Sequence, residues 1–375
     1  MAFAHNRNLG SGSPKSTAIS HPFSTAVETS AHVNAGGSRA AKIDGRFLRF
    51  AALAVLALLI PRISFATGLS FQGVVSTLST GSLTLSVPAD MTVDTGGNIY
   101  IADTSNNRIV RITAQGVASV FAISGLGTAL NAPTGVAIDG SGNLYIADSG
   151  NNRIVEATAA GSGSVVDTSG VTMNSPRGVA LDPSGDIFIA DTDNNRIVEV
   201  PAGGAAAVFS ITGLGTTLST PTGAAVDTSG NLYIADSANN RIVTVTAGGT
   251  AGSVLTINGL GTALSNPIGV AVDSVGNVYI ADTSNSRVVM VDASGNGSVV
   301  NTSILTLGQP KGVAVDTSGT LYIADTNHGR AAALAMSAVG FGHAQMGTSS
   351  AITLTLPFTI GSVSYTHLDV YKRQG

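Results

Sequence analysis

The sequence predicts an all-β chain, a six-bladed β-propeller with four antiparallel strands per blade and the last blade closed by an N-terminal strand. One motif recurs six times, its copies opening at Pro88, Pro133, Pro176, Pro221, Pro267 and Pro310, spaced 45, 43, 45, 46 and 43 residues apart. Each copy holds three short apolar runs divided by Gly, Asn, Asp and Ser, which is the composition of strands joined by tight turns. A fourth run follows the earlier copies but not the sixth, where the chain after Leu334 soon reads GFGHAQMGTSS. A matching run, Gln72 to Thr80 (QGVVSTLST), stands ahead of the first copy instead. Used as the missing fourth strand, it closes the ring and leaves no open seam.

Ahead of the repeats, residues 1 to 41 are rich in Ser, Ala, Gly and Asn without apolar periodicity, so no packed structure is expected there. Basic Lys42, Arg46 and Arg49 then precede an apolar run from Phe50 to Ile60, followed by Pro61 and the small-residue exit Ser64-Phe65-Ala66. That order is the layout of a secretory signal peptide, with cleavage expected after Ala66, and assigns residues 1 to 66 to leader and signal. An apolar run of this length is too short to cross ~30 Å of hydrocarbon as a helix. No stable membrane insertion is expected unless the segment is retained, and the mature protein is expected to be secreted, periplasmic or on the cell surface.

Residues 67 to 336 are read as the propeller. In the copy PTGVAIDGSGNLYIADSGNNRIVEA the first strand is expected over Gly135 to Asp139, the second over Leu144 to Asp148 and the third over Arg153 to Ala157. Fourth strands are expected over segments such as Gly116 to Ile123 and Gly252 to Ile257. The small and β-branched residues of the first strand suit a crowded position near the axis. The first turn carries a glycine where positive φ is required: Gly97, Gly142, Gly185, Gly230, Gly276 and Gly319. The Asp ending each first strand (Asp94, Asp139, Asp182, Asp227, Asp273, Asp316) is placed to cap that turn.

The second hairpin carries an Asp five residues before an Arg in every copy: Asp103/Arg108, Asp148/Arg153, Asp191/Arg196, Asp236/Arg241, Asp282/Arg287 and Asp325/Arg330. The carboxylate is expected to accept backbone N–H groups of the turn and to pair with the Arg that begins the next strand. A pair repeated in every blade is a structural device, so these twelve residues are not read as catalytic. On these motifs the copies resemble NHL repeats, over Phe71 to Met336. The resemblance implies a secreted bacterial propeller with one four-stranded blade per repeat.

Beyond the repeats, Gly340 to Pro357 is similar to the opening of bacterial immunoglobulin-like domains, so residues 337 to 362 are expected to begin a further domain. Val363 to Gln374 (VSYTHLDVYKRQ) back-translates into two inverted halves about the Leu368 codon. It resembles a transposon end used in preparing sequencing libraries, read through as protein. Residues 363 to 375 are therefore expected to be foreign, with the native chain continuing past Ser362.

Composition narrows the function. The chain has no cysteine, which removes disulfides, thiolate chemistry and Cys-ligated metal sites. Over residues 67 to 362, 17 Asp and 2 Glu stand against 8 Arg and 1 Lys, a net charge of -10. Such a surface is repelled by phosphate backbones, so nucleic acid is not an expected partner, although some eukaryotic NHL proteins bind RNA through basic faces. Propeller enzymes with an axial metal ion need His, Glu, Asp or Asn around it. In the same stretch the only histidines are His328 and His343, and the only glutamates, Glu156 and Glu199, fall on third strands. No GxSxG, HExxH or P-loop pattern occurs. Asp191, Asp193 and Asn195 alternate as in a calcium loop but lack its closing Glu, and are read as a hairpin. No metal or cofactor is expected.

An asymmetric ligand needs unlike groups, so departures from the repeat are the candidates for its site. Between Pro and Gly, copies two to six carry Thr134, Arg177, Thr222, Ile268 and Lys311, and in the sixth His328-Gly329 replaces Asn-Asn. Loops entering first strands and hairpins leaving second strands share a propeller face. Arg177, Lys311, Asp193 and His328 are therefore expected on one face, from opposed blades three and six, with Arg177 and Lys311 as partners for an anionic ligand or peptide carboxylate. The expected function is a non-catalytic binding or scaffold module presenting that face to a protein, peptide or glycan. The alternative is a propeller-type metal-dependent lyase or hydrolase.

Overall fold

The computed structural model describes residues 75–302 and 305–335, and four short strands farther along the chain. Within Phe65–Gly342, one compact unit, strands of three to six residues form six four-stranded antiparallel sheets. In the second blade Pro133–Ile138, Leu144–Asp148, Arg153–Ala157 and Gly163–Val165 follow one another as a meander. The last blade takes its outer strand from the chain start: Val75–Thr77 pairs antiparallel with Arg330–Ala335 in the register Val75↔Leu334, and the Leu78 N–H extends the ladder to the Ala331 carbonyl. Residues 72 to 74 of the expected closing strand lie outside the described residues.

The outer strands are shorter than the sequence suggests. Ala118–Val120 pairs with Ile112 to Val110, and one further bond, from the Phe121 N–H to the Ile109 carbonyl at 2.8 Å, ends the ladder. The next residue, Phe121, turns inward to a buried position and meets the Tyr100 ring edge-on at 5.5 Å. In the third blade Phe209, the last residue of the outer strand and half-buried, meets the Phe188 ring edge-on at 5.4 Å. An outer strand has solvent on one side, and an aromatic at its end that packs toward the neighbouring blade buries apolar surface there.

The core lies between blades. Tyr100, Ala102 and Ile109 of the first blade pack on Val136, Ile146 and Val155 of the second, and equivalent clusters fill every other gap in the ring. Leu85, Met91 and Ile101 pack on Tyr322 and Ala324, closing the circle. Each fully buried Ile contributes about 2 kcal/mol by leaving water. No blade can bury both its faces alone, so the ring is the stable unit.

Hydrogen bonds repeat the same logic. The Ser or Thr after each signature Asp donates to the carbonyl of the next blade's Pro: Thr104 to Pro133, Ser149 to Pro176, Thr192 to Pro221, Ser237 to Pro267, Thr283 to Pro310, and Thr326 back to Pro88. All six signature pairs form: the Nε of Arg108, Arg153, Arg196, Arg241, Arg287 and Arg330 lies 2.6–2.7 Å from Oδ2 of Asp103, Asp148, Asp191, Asp236, Asp282 and Asp325 in turn, each carboxylate fully buried.

The hairpin nevertheless departs from its sequence reading in one respect and adds to it in another. Asp Oδ1 accepts not from a backbone N–H of its own turn but from one seventeen residues upstream, as Asn131 N–H to Asp148 at 2.6 Å and Ser86 N–H to Asp103 at 2.6 Å. The arginines, expected to pair with the Asp and doing so, also have a second partner in the same upstream loop: Arg108 donates to the Thr84 carbonyl at 2.9 Å, Arg196 to that of Thr172 at 2.7 Å and Arg287 to that of Thr262 at 2.7 Å. The reason is that the turn closes without them, through one 3-10 turn and a left-handed residue such as Asn152 at φ 54°. Carboxylate and guanidinium are thereby free to tie the hairpin to the loop entering the same blade. In the first turn, Gly97, Gly142, Gly185, Gly230, Gly276 and Gly319 all adopt positive φ, and the preceding Asp caps it, Asp139 Oδ1 accepting from Ser141 and Asn143 at 2.8 Å each.

Separately, Ile352–Leu354 pairs antiparallel with Leu368–Val370, and Phe358–Ile360 with Val363–Tyr365. The reading of residues 1 to 66 as leader and signal lies outside the described residues. Of residues 337 to 375 only these strands are described. Among the described residues no helix is long and apolar enough to cross a membrane.

Candidate functional site

First strands converge on the propeller axis, and their residue two after Pro comes against the next blade's backbone. A Cβ at Gly135 would collide with the Arg177 carbonyl, and at Gly178, Gly223 and Gly269 with those of Thr222, Ile268 and Lys311. Glycine is needed there because two backbones approach without room for a side chain. The first blade departs from this rule. Asp90 occupies the matching position, paired with Ala102 as Gly135 is with Ala147.

Around Asp90 the inner strands enclose an axial cavity of about 90 Å³, lined also by Thr104, Thr134, Arg177, Thr222 and Lys311. The hydroxyls are committed to the ring: Thr104 to the Pro133 carbonyl, Thr134 to that of Arg177 at 3.1 Å, Thr222 to that of Ile268 at 3.0 Å. The charged groups are not. Among the described residues every ion pair lies in a second hairpin, and none involves Arg177, Lys311 or Asp90. Burial, and secondarily the positive charge of Arg177, hold the partly buried Lys311 ammonium below its usual pKa. Burial pushes the Asp90 carboxyl up to about 7, against the Val136 N–H that donates to its Oδ2 at 3.1 Å and the Met91 N–H. Two cations that disfavour each other across one cavity make a receptor for negative charge.

Of the four residues expected on the binding face, Arg177 and Lys311 line this cavity together, while Asp193 and His328 do not. Asp193 is exposed on the third blade's hairpin, its N–H held by the Asn174 carbonyl at 3.2 Å. His328 replaces the Asn that in other blades bonds the signature carboxylate; its Nδ1 lies 2.9 Å from Asp325 Oδ2. The local turn, not the face, determines where these two side chains go. The repeated pairs also stay out of the cavity. Arg108, Arg153, Arg196, Arg241, Arg287 and Arg330 are held with their Asp partners in the second hairpins, and none of the twelve lines it.

Asp90 is the residue that sequence reasoning passed over. Its signal is present in the first copy, which reads Pro88-Ala89-Asp90 where the others read Pro-x-Gly. Among the described residues no three His, Cys, Asp or Glu side chains converge to hold a metal ion. The cavity's charged lining, one carboxyl and two cationic side chains, does not fit one either.

A family model described as the virginiamycin B lyase family matches residues 69–336. Among solved structures, the chain is similar to a streptogramin B lyase at 15% identity and TM-score 0.54, covering 72% of this chain and 99% of that one. It is similar to a catalytically inactive histidine-to-alanine variant of virginiamycin B lyase from Staphylococcus aureus with quinupristin, at 17% identity and TM-score 0.52, covering 68% and 82%. A gluconolactonase from Xanthomonas campestris aligns at 16% identity and TM-score 0.57, covering 74% and 92%. At these identities the likeness is one of fold. No curated protein matches the chain.

Proposed function

Because the chain belongs to the virginiamycin B lyase family, we propose that it uses that family's propeller as a binding module, receiving an anionic group, specifically a carboxylate, at the axial mouth. The observation that carries this is the meeting of Arg177 and Lys311, from blades three and six, in one cavity without an ion-pair partner among the described residues. Arg offers a planar fork matched to a carboxylate and Lys a point charge, and each charge-assisted bond is about twice as strong as a neutral one. The residue order from Lys42 to Thr67 supports an exported protein, for which the carboxylate would belong to a peptide, glycan or small solute outside the cytoplasm.

The lyase chemistry named for the relatives is not carried over. The histidine-to-alanine variant of the solved virginiamycin B lyase is catalytically inactive. Here His328, the histidine among the described residues, is engaged with Asp325 in a hairpin away from the cavity. Titration with propionate, followed by NMR shifts of the cavity residues, tests the binding reading. Wild-type protein is expected to bind, and an Arg177→Ala/Lys311→Ala variant at least tenfold more weakly, which is about 1.4 kcal/mol. Equal affinity in the two proteins would overturn it.

A further inference from the structure

The axial cavity holds one group that a simple anion receptor does not need. Asp90 stands where the other five copies carry glycine, and in the blades on either side that glycine has no room for a side chain, since a Cβ at Gly312 would lie 2.5 Å from the Asp90 Cα and one at Gly135 would collide with the Arg177 carbonyl. A carboxylate near the seat of an anion also opposes anion binding. Asp90 breaks the packing rule and works against the neighbouring cations, so its presence calls for a ligand group that it serves. That group is a cation or a strong hydrogen-bond donor held beside the ligand's carboxylate.

We infer that Asp90 determines specificity for a zwitterion: the cavity receives the α-amino carboxylate head of a free amino acid, the carboxylate at Arg177 and Lys311 and the ammonium at Asp90. This rests on the binding function proposed above. Size agrees with it. A cavity of about 90 Å³ is smaller than the ~150 Å³ that encloses a benzene ring, so it admits the head group and leaves the side chain at the mouth. Charge agrees as well. One acidic and two basic side chains line the cavity, and no others that titrate do. The Val136 N–H at Oδ2 orients the carboxyl, and with a pKa raised by burial to about 7 it is largely the carboxylate at pH 8, where an arriving ammonium would pair with it.

The test is calorimetric titration at pH 8 of alanine, propionate and lactate into wild-type protein and an Asp90→Gly variant. Glycine is the residue carried at this position by the other five copies, so the variant is expected to keep the ring. Wild-type protein is expected to bind alanine at least tenfold more tightly than propionate, and the variant to bind propionate while losing that preference. Equal affinity for alanine and propionate in the wild type, or a preference retained without Asp90, overturns the role of Asp90 and leaves the carboxylate reading intact. Lactate binding as tightly as alanine overturns the ammonium assignment. If neither alanine nor propionate binds, or if both bind the Arg177→Ala/Lys311→Ala variant equally well, the carboxylate reading fails and this inference with it.

Discussion

At the scale of single residues, Asp90 shows what burial does to a titrating group. Its carboxyl is raised from 3.8 to about 7, chiefly by burial. Between those values the folded protein holds a proton that the unfolded chain has released, so stability falls as pH rises through that window and is highest below it. The thermal midpoint of the wild type is therefore expected to drop more between pH 4 and pH 8 than that of an Asp90→Asn variant, whose neutral amide does not ionise. Parallel midpoints in differential scanning calorimetry would refute the raised carboxyl. The residue was visible in the sequence as a broken Pro-x-Gly pattern. Its weight was not, because only the converging backbones show that the glycines at this position in the other blades leave no room for a side chain.

At the scale of the element, the second hairpin is a device copied around the ring. In the second blade Asp148 accepts from the Arg153 guanidinium at 2.7 Å, the Asn151 amide at 2.8 Å and the Asn131 backbone at 2.6 Å. An Asp148→Asn substitution removes the charge and leaves Arg153 facing a neutral group. Breaking a buried pair costs roughly 3 kcal/mol, and urea unfolding is expected to show a loss of that order. A loss below about 0.5 kcal/mol would mean the pair is in effect a surface one. The Asp–Arg spacing told of the pair. It was silent about the Asn131 bond, and about the carbonyls that Arg108, Arg196 and Arg287 reach, because an upstream backbone partner leaves no residue type behind. The Ser or Thr that follows each Asp was a readable signal, but its acceptor is the neighbouring blade's carbonyl, which no local pattern identifies.

At the scale of the whole molecule, stability depends on closure. Two bonds and a ladder mark the closure: Thr326 to the Pro88 carbonyl at 2.7 Å, Leu78 to the Ala331 carbonyl at 2.8 Å, and the strand pairing through Ser76↔Ala333. The seam also lacks one bridge that the other five junctions have. Elsewhere the left-handed hairpin residue reaches across to hold the residue before the next Pro, as Asn107 holds the Ala132 N–H at 2.7 Å. Gly329 has no side chain with which to hold Val87, itself at φ 53°. Ser76→Pro places a ring and a missing donor in the closing strand, where proline is tolerated poorly. It is expected to lower the thermal midpoint by at least 2 to 4 °C for each ~1 kcal/mol of ladder bonding lost. Limited proteolysis should then cut first near the chain start. An unchanged midpoint would show that the N-terminal strand does not close the ring.

The sequence by itself determined the six blades, the turn glycines, the Asp–Arg pairs and the origin of the closing strand. Each rests on contacts within one repeat or on a count of repeats, and such contacts recur at fixed spacing. It also placed Arg177 and Lys311 on one face, through the symmetry of the repeat. Only the tertiary structure decided that those two cations share a cavity with Asp90 while Asp193 and His328 stay in their hairpins. Side chains from different blades meet where first strands converge on the axis. How near they come depends on the width of the closed ring, a property of all six blades at once.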